Sequence, residues 1–317
     1  MNNDRRTFIN QLSFVAALAA LSRPISAIAA AGKKINTLYA GDREVTIYHT
    51  NDLHGNIQPV FGETGGLHQI QTLLKKQETR GLLLDAGGFL NLSKSDAAQR
   101  DMIRVMNGMG YHAAAVGSAE LSLGQDHLAA LARLMNFSLV NCNYSFDGEL
   151  NNVVKPYLII HSGRFKIGVI GVGHKVDGVK YKPAIQSANI TASHLKQKEQ
   201  CDLVICLSHL GYQQPGDLPD DKKLATQSEH IDMIISGNNR RLSPDPIVLR
   251  NSLKHEVIIS CTARNGLMMG KTTFNFENGK QKQNVSARNM IAGQHPGETY
   301  SMSFAKLKAN EKQLVMV

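Results

Sequence analysis

Short apolar runs rich in β-branched residues alternate with amphipathic stretches of helical period, and this alternation restricts the fold more than any other feature of the chain. The strand-like runs lie at 45–48, 82–84, 167–170, 203–206, 233–235 and 257–259. Between many of them, apolar residues are spaced for one face of a helix, at 67–74, 102–106 and 128–135. The alternation predicts a layered α/β domain whose helices cover largely buried sheets. Residues 271–290 instead predict a β-hairpin that turns at Asn278-Gly279.

The balance of charges is basic, with 35 Lys and Arg against 26 Asp and Glu and a formal net charge of +9. Aromatic residues make up only 6% of the chain and Trp is absent, so few side chains are available to stack on bases. The basic residues are scattered and form no stripe. We interpret them as a mildly cationic surface that attracts anionic solutes, and we expect no nucleic-acid partner.

The N-terminal segment, 1–31, has the features of an export signal. Arg5-Arg6 precedes an apolar run at 14–21, and small residues follow where an A-x-A cleavage site fits. The arginine pair resembles a twin-arginine signal. Because Arg23-Pro24 interrupts an apolar stretch shorter than the roughly 20 residues needed to span a bilayer, cleavage is favoured over retention as an N-terminal anchor. We expect a periplasmic or secreted mature chain that begins near Gly32 and contains no membrane span.

Export makes disulfides possible, so the cysteines need a separate interpretation. None of the four has C-x-x-C spacing, and each lies in or beside an apolar run; they are Cys142, Cys201, Cys206 and Cys261. We predict that all four are buried as small hydrophobic residues and that the chain has no zinc or redox motif.

The residues that follow the first strand-like run are the first candidates for a functional site, because ligands in open α/β folds bind at the carboxyl ends of strands. The string there is HTNDLHG, at 49–55. Its Asp52 and His54 have a D-x-H spacing that can direct a carboxylate and an imidazole at one metal ion. By itself, the same spacing also fits an Asp that caps a turn and a His at the surface.

The string at 49–55 resembles the opening of the 5′-nucleotidase branch of the calcineurin-like metallophosphoesterases, and further strings match that branch in order. They are GGL at 65–67, LLLDAG at 82–87, GRFKIGVIGV at 163–172, LSHLG at 207–211 and DMIISG at 232–237. The resemblance covers about residues 44 to 278. It implies a single α/β/β/α sandwich domain, which we place at 44–293, between a linker at 32–43 and a C-terminal tail at 294–317.

The resemblance implies two metal ions, held by seven side chains, that clamp a phosphate and supply a hydroxide. Three ligand positions are intact, namely Asp52, His54 and His209. Four are replaced: the bridging Asp by Gly88, the Asn by Ser118, and two His by Asn238 and Arg240. The position of the catalytic His holds Ala119, so no catalytic residue is intact. Asp85 is not expected to replace the bridge, because strand alternation puts it on the opposite face.

These losses predict a non-catalytic binding or scaffold protein on a metallophosphoesterase fold, with no cofactor. Asn238 and Arg240 are the candidates to bind a small anion or a nucleotide, in a pocket to which His54 and His209 also contribute. The alternative is a residual phosphomonoesterase or nucleotidase that works with one weakly bound manganese or zinc ion on Asp52, His54 and His209. A hydrolase that uses unrelated residues is a third possibility.

Two further expectations follow from the resemblance. We expect Arg240 to pair with Asp52 in place of the missing cation, because an unpaired carboxylate in a closed pocket is costly; in the alternative arrangement, Arg240 points to solvent and water fills the site. Two-domain members carry a C-terminal domain that stacks on the nucleotide base, and the 38 residues after Gly279 are too few to form one. A separately encoded domain of that kind is therefore a candidate partner.

Overall fold

The computed structural model describes residues 33–36, 43–91, 95–239, 242–277 and 280–312. The strands are β1 (Lys33–Asn36), β2 (Glu44–Thr50), β3 (Leu82–Asp85), β4 (Ala113–Ala115), β5 (Ser138–Val140), β6 (Tyr144–Ser145), β7 (Tyr157–Ser162), β8 (Phe165–Gly173), β9 (Lys180–Tyr181), β10 (Leu203–His209), β11 (Met233–Ser236), β12 (Ile247–Arg250), β13 (Glu256–Ser260), β14 (Met268–Phe276) and β15 (Lys282–Ile291). The helices are α1 (Leu67–Lys75), α2 (Asp96–Met109), α3 (Ser118–Leu121), α4 (Gln125–Ala132), α5 (Leu150–Val153), α6 (Ala184–Gln197), α7 (Asp221–Gln227) and α8 (Tyr300–Ala309).

Two sheets lie face to face at the centre of the molecule. One has the strand order β1-β7-β8-β10-β11-β13-β12, and the other has the order β15-β14-β2-β3-β4-β5. Fully buried side chains from both sheets, such as Ile47, Leu84 and Ile205, form one core between them. Separate cores join α1, α2 and α4 to the outer face of the six-stranded sheet, and α6 and α7 to that of the seven-stranded sheet. The predicted α/β/β/α sandwich is therefore confirmed.

The strand-like runs are buried on both faces because each sheet lies between the other sheet and a layer of helices. The parallel strands β2, β3 and β4 of one sheet, and β10, β11 and β13 of the other, end at the same edge of the sandwich. Hydrogen bonds join the loops that follow them, from Asp52 N to Gly87 O (2.9 Å) and from Asn265 N to Asp52 O (2.7 Å). This edge carries the candidate site.

Both ends of the described chain depart from the expected domain bounds. Lys33–Asn36, expected in the linker, forms β1 and pairs in parallel with β7. The expected C-terminal tail contains α8, whose Leu307 is buried in a cluster with Leu242 and Leu267. Only a few apolar residues of α8 pack inward, so its sequence shows a weak helical pattern and the contact depends on the tertiary fold.

Three smaller expectations have mixed outcomes. The hairpin is present as β14 and β15, although its predicted turn, Asn278-Gly279, lies outside the described residues. A helix is expected to extend over 128–135, but α4 ends at Ala132 and Leu134 is exposed. Cys142 is only partly buried, so the prediction of burial is wrong for it and correct for the other three cysteines; all four are free thiols.

No helix in the described ranges is both long and apolar enough to cross a bilayer.

Candidate functional site

The turn after β2 holds the first two predicted site residues in a left-handed backbone conformation. Asp52 has φ of 51° and His54 has φ of 48°, a region that side chains other than Gly seldom adopt. Backbone hydrogen bonds to the loop after β3 fix the turn, including the 2.8 Å bond from His54 N to Gly88 O. Such strained residues persist where the surrounding structure fixes them, and they are frequent at functional sites.

Neutral N–H groups surround the carboxylate of Asp52, which is 2% exposed. Its Oδ1 accepts a hydrogen bond of 3.0 Å from the backbone N–H of Asn238. Its Oδ2 accepts bonds from the Asn51 side-chain amide at 2.9 Å and from the backbone N–H of Asn239 at 3.4 Å. Among the described residues, both oxygens therefore have hydrogen-bond donors that are neutral groups. These bonds offset the cost of burying the negative charge.

Gly88 lies between Asp52 and the third predicted remnant, His209. A Cβ at position 88 would lie 2.8 Å from Oδ1 of Asp52 and 3.1 Å from Cε1 of His209. The structure thus brings the two side chains to either side of the position where the family's bridging carboxylate is expected. Gly88 itself has φ of 74°, which disfavours any side chain there.

The imidazole of His209 is packed among glycines at the ends of three strands. A Cβ at Gly117 would lie 2.5 Å from Cδ2 of the ring, and one at Gly237 would lie 2.9 Å from its Nδ1. Nδ1 donates to the carbonyl oxygen of Ala86 at 3.1 Å, and the ring stacks on His174 with centroids 6.1 Å apart. His209 is only 3% exposed.

The short helix α3 carries the replaced positions Ser118 and Ala119, both half-buried, and it also contains a residue that the sequence analysis did not single out. The carboxylate of Glu120, 1% exposed, accepts hydrogen bonds from the backbone N–H groups of Gly88 (3.1 Å), Leu90 (3.1 Å) and Gly117 (2.9 Å). Glu120 therefore fixes the loop after β3 to the loop after β4. Its position directly after two replaced site residues is the sequence signal that identifies it.

The loop after β13 supplies two more residues that the sequence analysis missed. Nδ1 of His54 donates to Oδ1 of Asn265 at 3.0 Å, and the guanidinium Nη2 of Arg264 lies 3.4 Å from the same nitrogen. The pKa of His54 is lowered, because the effect of burial is larger than the opposite effect of the Asp52 carboxylate. The rule that ligands bind at strand ends, applied to the strand-like run at 257–259, identifies this loop.

Asp85, which is not expected to replace the bridging ligand, is engaged by its neighbours. Its carboxylate accepts hydrogen bonds from Thr50 Oγ1 at 2.6 Å and from the backbone N–H of Gly87 at 2.8 Å. The side chain is fully buried, and this burial raises its pKa well above the usual range. Asp85 is thus a structural residue that connects β2 to the turn after β3.

A buried polar network lies behind Asp52. The carboxylate of Asp221 is bonded to the hydroxyls of Ser208 and Ser236. Ser236 Oγ in turn accepts a 3.0 Å bond from the side-chain amide of Asn239. Burial raises the pKa of Asp221 to about 8, and the negative charges of Asp220 and Asp52 act in the same direction. The hydrogen bonds from the two serines lower the pKa, but by less. The network fixes Asn239, whose backbone N–H reaches Asp52.

The two candidate anion-binding residues have different outcomes. Asn238, with φ of 58°, reaches Asp52 through its backbone, while its side chain is exposed. Arg240 lies outside the described residues, so its predicted ion pair with Asp52 stays a prediction. The premise of that prediction is altered, however, because Asp52 already has three N–H donors.

The donor groups at this edge do not fit a pair of divalent ions. A dinuclear centre needs a bridging ligand and several free carboxylate or imidazole donors, whereas the bridge position is Gly88 and both oxygens of Asp52 face N–H groups. Within the described ranges, no three His, Cys, Asp or Glu side chains are grouped so that they could hold a metal ion. The Asp52 Oδ1 and His54 Nε2 atoms remain 4.0 Å apart.

Known proteins with similar sequences include proteins named UshA and 5′-nucleotidases. The chain is 28% identical to the protein UshA of Salmonella pullorum, in an alignment that covers 86% of this chain and 54% of the relative. It is also 28% identical to a 5′-nucleotidase of Vibrio cholerae, over 62% of this chain and 40% of the relative. The chain thus spans about half the length of the curated relatives that it matches. No protein-family model matches the chain.

Solved structures with the same fold include a 5′-nucleotidase precursor of Thermus thermophilus, with a TM-score of 0.70 and 22% identity over 86% of this chain and 59% of that one. A calcineurin-like phosphoesterase of Bacillus subtilis, YfkN, has a TM-score of 0.63 and 21% identity over 87% of this chain and 99% of that one. The chain therefore shares its fold with a calcineurin-like phosphoesterase and resembles 5′-nucleotidases in sequence, as its motifs predict.

Proposed function

We propose that this chain is an exported, non-catalytic member of the calcineurin-like metallophosphoesterase superfamily that uses the former metal edge of the sandwich to bind a small anion. The observation that carries the proposal is the set of N–H donors around Asp52. Oδ1 of Asp52 accepts one N–H bond and Oδ2 accepts two, so neutral donors engage most of the lone pairs that a metal ligand would present to an ion. The same edge lacks a bridging carboxylate at Gly88 and a catalytic imidazole at Ala119.

The surroundings of His54 support a small anion as the ligand. The guanidinium Nη2 of Arg264 lies 3.4 Å from Nδ1 of His54, and the Asn91 side-chain amide donates to the His54 carbonyl oxygen at 3.0 Å. A guanidinium next to amide groups suits the oxygen atoms of a phosphate or a carboxylate. We retain a nucleotide, and a separately encoded nucleotidase C-terminal domain, as the finer proposals for the ligand and the partner.

The catalytic part of the proposal is tested with the purified full chain and added manganese or zinc. We expect well under one equivalent of bound metal at micromolar concentration, and we expect hydrolysis of p-nitrophenyl phosphate and AMP no faster than with His54→Ala. Two tightly bound equivalents contradict the proposal. Turnover that His54→Ala abolishes supports the alternative, a phosphomonoesterase that works with one ion held near Asp52 and His54.

The export part of the proposal is tested in cells with a fusion to a periplasmic reporter. Because the twin-arginine pathway requires the arginine pair, the double change Arg5→Lys and Arg6→Lys is expected to leave the chain inside the cell. Changing Lys33 and Lys34 to Arg is the matched control, since it alters basic residues beyond the proposed cleavage site. Undiminished export of the Arg5/Arg6 variant would indicate a general secretory signal, and no export of the unchanged chain would overturn the assignment.

A further inference from the structure

A cavity of about 460 Å³ lies beside α6. Its walls come from β6, from α5 and from the first two turns of α6. The volume falls within the range of cavities that bind small molecules. Neither Asp52, His54 nor His209 lines it, so its occupancy does not depend on the function proposed for those residues.

The charged residues that line the cavity are both cations. Lys155 and Lys182 contribute to its walls, and no Asp or Glu is among its lining residues in the described part of the chain. Two acidic residues close in sequence to the lining residue Phe146 are engaged elsewhere: Asp147 pairs with Lys180 at 3.0 Å, and Glu149 pairs with Arg133. Two positive charges that face a concave wall without an acidic neighbour attract anions.

One wall of the cavity is aromatic. Tyr144 and Phe146 both line it and pack edge to face, with ring centroids 6.0 Å apart and an interplanar angle of 89°. Both residues are largely buried, and the Tyr144 hydroxyl donates to the carbonyl oxygen of His174, so their positions are fixed. The edges of these rings that line the cavity offer a small, pre-formed apolar surface against which a planar group can pack.

We propose that this cavity binds a small aromatic anion, a carboxylate or a phosphate ester, whose charged group lies at Lys155 and Lys182 and whose ring packs on Tyr144 and Phe146. An inorganic anion would leave the aromatic wall in contact with water. A neutral aromatic molecule would place an apolar ring beside two ammonium groups without compensating their charge. Only a ligand that has both parts matches both walls.

Isothermal titration of the full chain tests the required ligand chemistry with four probes. Benzoate and phenyl phosphate are each expected to bind with a stoichiometry of one. The one that binds with higher affinity shows whether the cavity prefers a carboxylate or a phosphate ester. Inorganic phosphate, which lacks the ring, and phenethylammonium, which reverses the charge, are expected to bind at least about tenfold more weakly. Equal affinity for phenethylammonium and benzoate, or no binding of either anion, overturns the proposal.

Variants assign the binding to the cavity. We expect Lys155→Gln and Lys182→Gln each to lower the affinity for whichever of the two aromatic anions binds more tightly. The double variant is expected to lower that affinity by about tenfold or more. Lys222→Gln is the matched control, because it removes one exposed lysine on α7, outside the cavity, and is expected to leave the affinity unchanged. Unweakened binding in the double lysine variant, or loss of binding in His54→Ala alone, overturns the proposal, since the anion then binds elsewhere.

A third variant blocks the cavity without changing a charge. Ile190→Trp adds bulk to a lining position on α6 and is expected to abolish binding of both aromatic anions. Its melting temperature is measured alongside, so that a variant that does not fold is recognised. In that case the lysine variants decide the outcome, because both lysine side chains are at least partly exposed and the change to Gln preserves packing.

Discussion

The backbone N–H of Asn238 donates a hydrogen bond of 3.0 Å to Oδ1 of Asp52, across an interval of 186 residues. The bond joins the loop after β11 in one sheet to the turn after β2 in the other. It offers Asp52 the positive end of a peptide dipole at the edge of the sandwich where the resemblance implies a metal ion. The buried carboxylate is thereby stabilised by a neutral group.

Replacement of Asp52 by Asn tests whether these bonds stabilise the fold. The amide keeps the shape of the carboxylate but turns one acceptor into a donor that faces another N–H. We expect a loss of about 1–3 kcal/mol in the free energy of unfolding, measured by urea denaturation. Asp217→Asn, at an exposed position, is the control and is expected to change it by less than about 0.5 kcal/mol. An unchanged stability would mean that the N–H donors do not need the carboxylate.

The predicted pairing of Arg240 with Asp52 is tested by a double-mutant cycle. If the guanidinium contacts the carboxylate, the losses in unfolding free energy of Arg240→Ala and Asp52→Asn are expected to be non-additive by more than about 0.5 kcal/mol. Arg241→Ala in place of Arg240→Ala is the matched control. Additive losses would support the arrangement in which Arg240 points to solvent.

Restoring the bridging residue with Gly88→Asp is expected to destabilise the protein without creating a metal site. The residue has φ of 74°, and its Cβ would lie 2.8 Å from a carboxylate oxygen of Asp52. Left-handed strain alone costs about 1–3 kcal/mol. Gly88→Ala has the same strain and the same Cβ contacts, so the difference between the two variants isolates the repulsion between carboxylates. Manganese is expected not to raise the melting temperature of Gly88→Asp. A clear increase would show that one side chain restores the metal site.

Glu120→Gln tests the connection between the loops after β3 and β4. The Gln side chain keeps one acceptor oxygen, and its NH₂ group faces an N–H where the carboxylate accepted a bond. We expect a loss of about 2 kcal/mol in the free energy of unfolding, because at least one buried N–H loses its partner. Glu229→Gln, on the surface, is the control. Equal stability of both variants would contradict the structural role assigned to Glu120.

Asp221 is expected to make stability depend on pH between about 4 and 8. Its pKa is raised to about 8 in the folded protein, chiefly by burial, while the unfolded chain releases this proton near 3.9. Between these values the folded state binds more protons than the unfolded state, so stability is greatest at the acidic end and decreases as pH rises. Asp221→Asn is expected to flatten this slope, measured by denaturation at several pH values, whereas Asp217→Asn retains it. A slope that Asp221→Asn leaves unchanged would contradict the assignment.

The local sequence determined the layered α/β architecture, because burial of a strand on both faces demands continuous apolar runs and helices need one apolar stripe. It also predicts which positions of the family's metal site are replaced, since flanking glycines such as Gly87 and Gly117 keep the motifs in register. Only the tertiary structure decided how the site compensates for those replacements. The donors to Asp52 are backbone N–H groups, which every residue except proline carries, so no residue type marks them in advance. The same limit applies to β1, to α8 and to the cavity beside α6, because each depends on contacts between segments far apart in the chain, whereas sequence patterns report only what neighbouring residues do together.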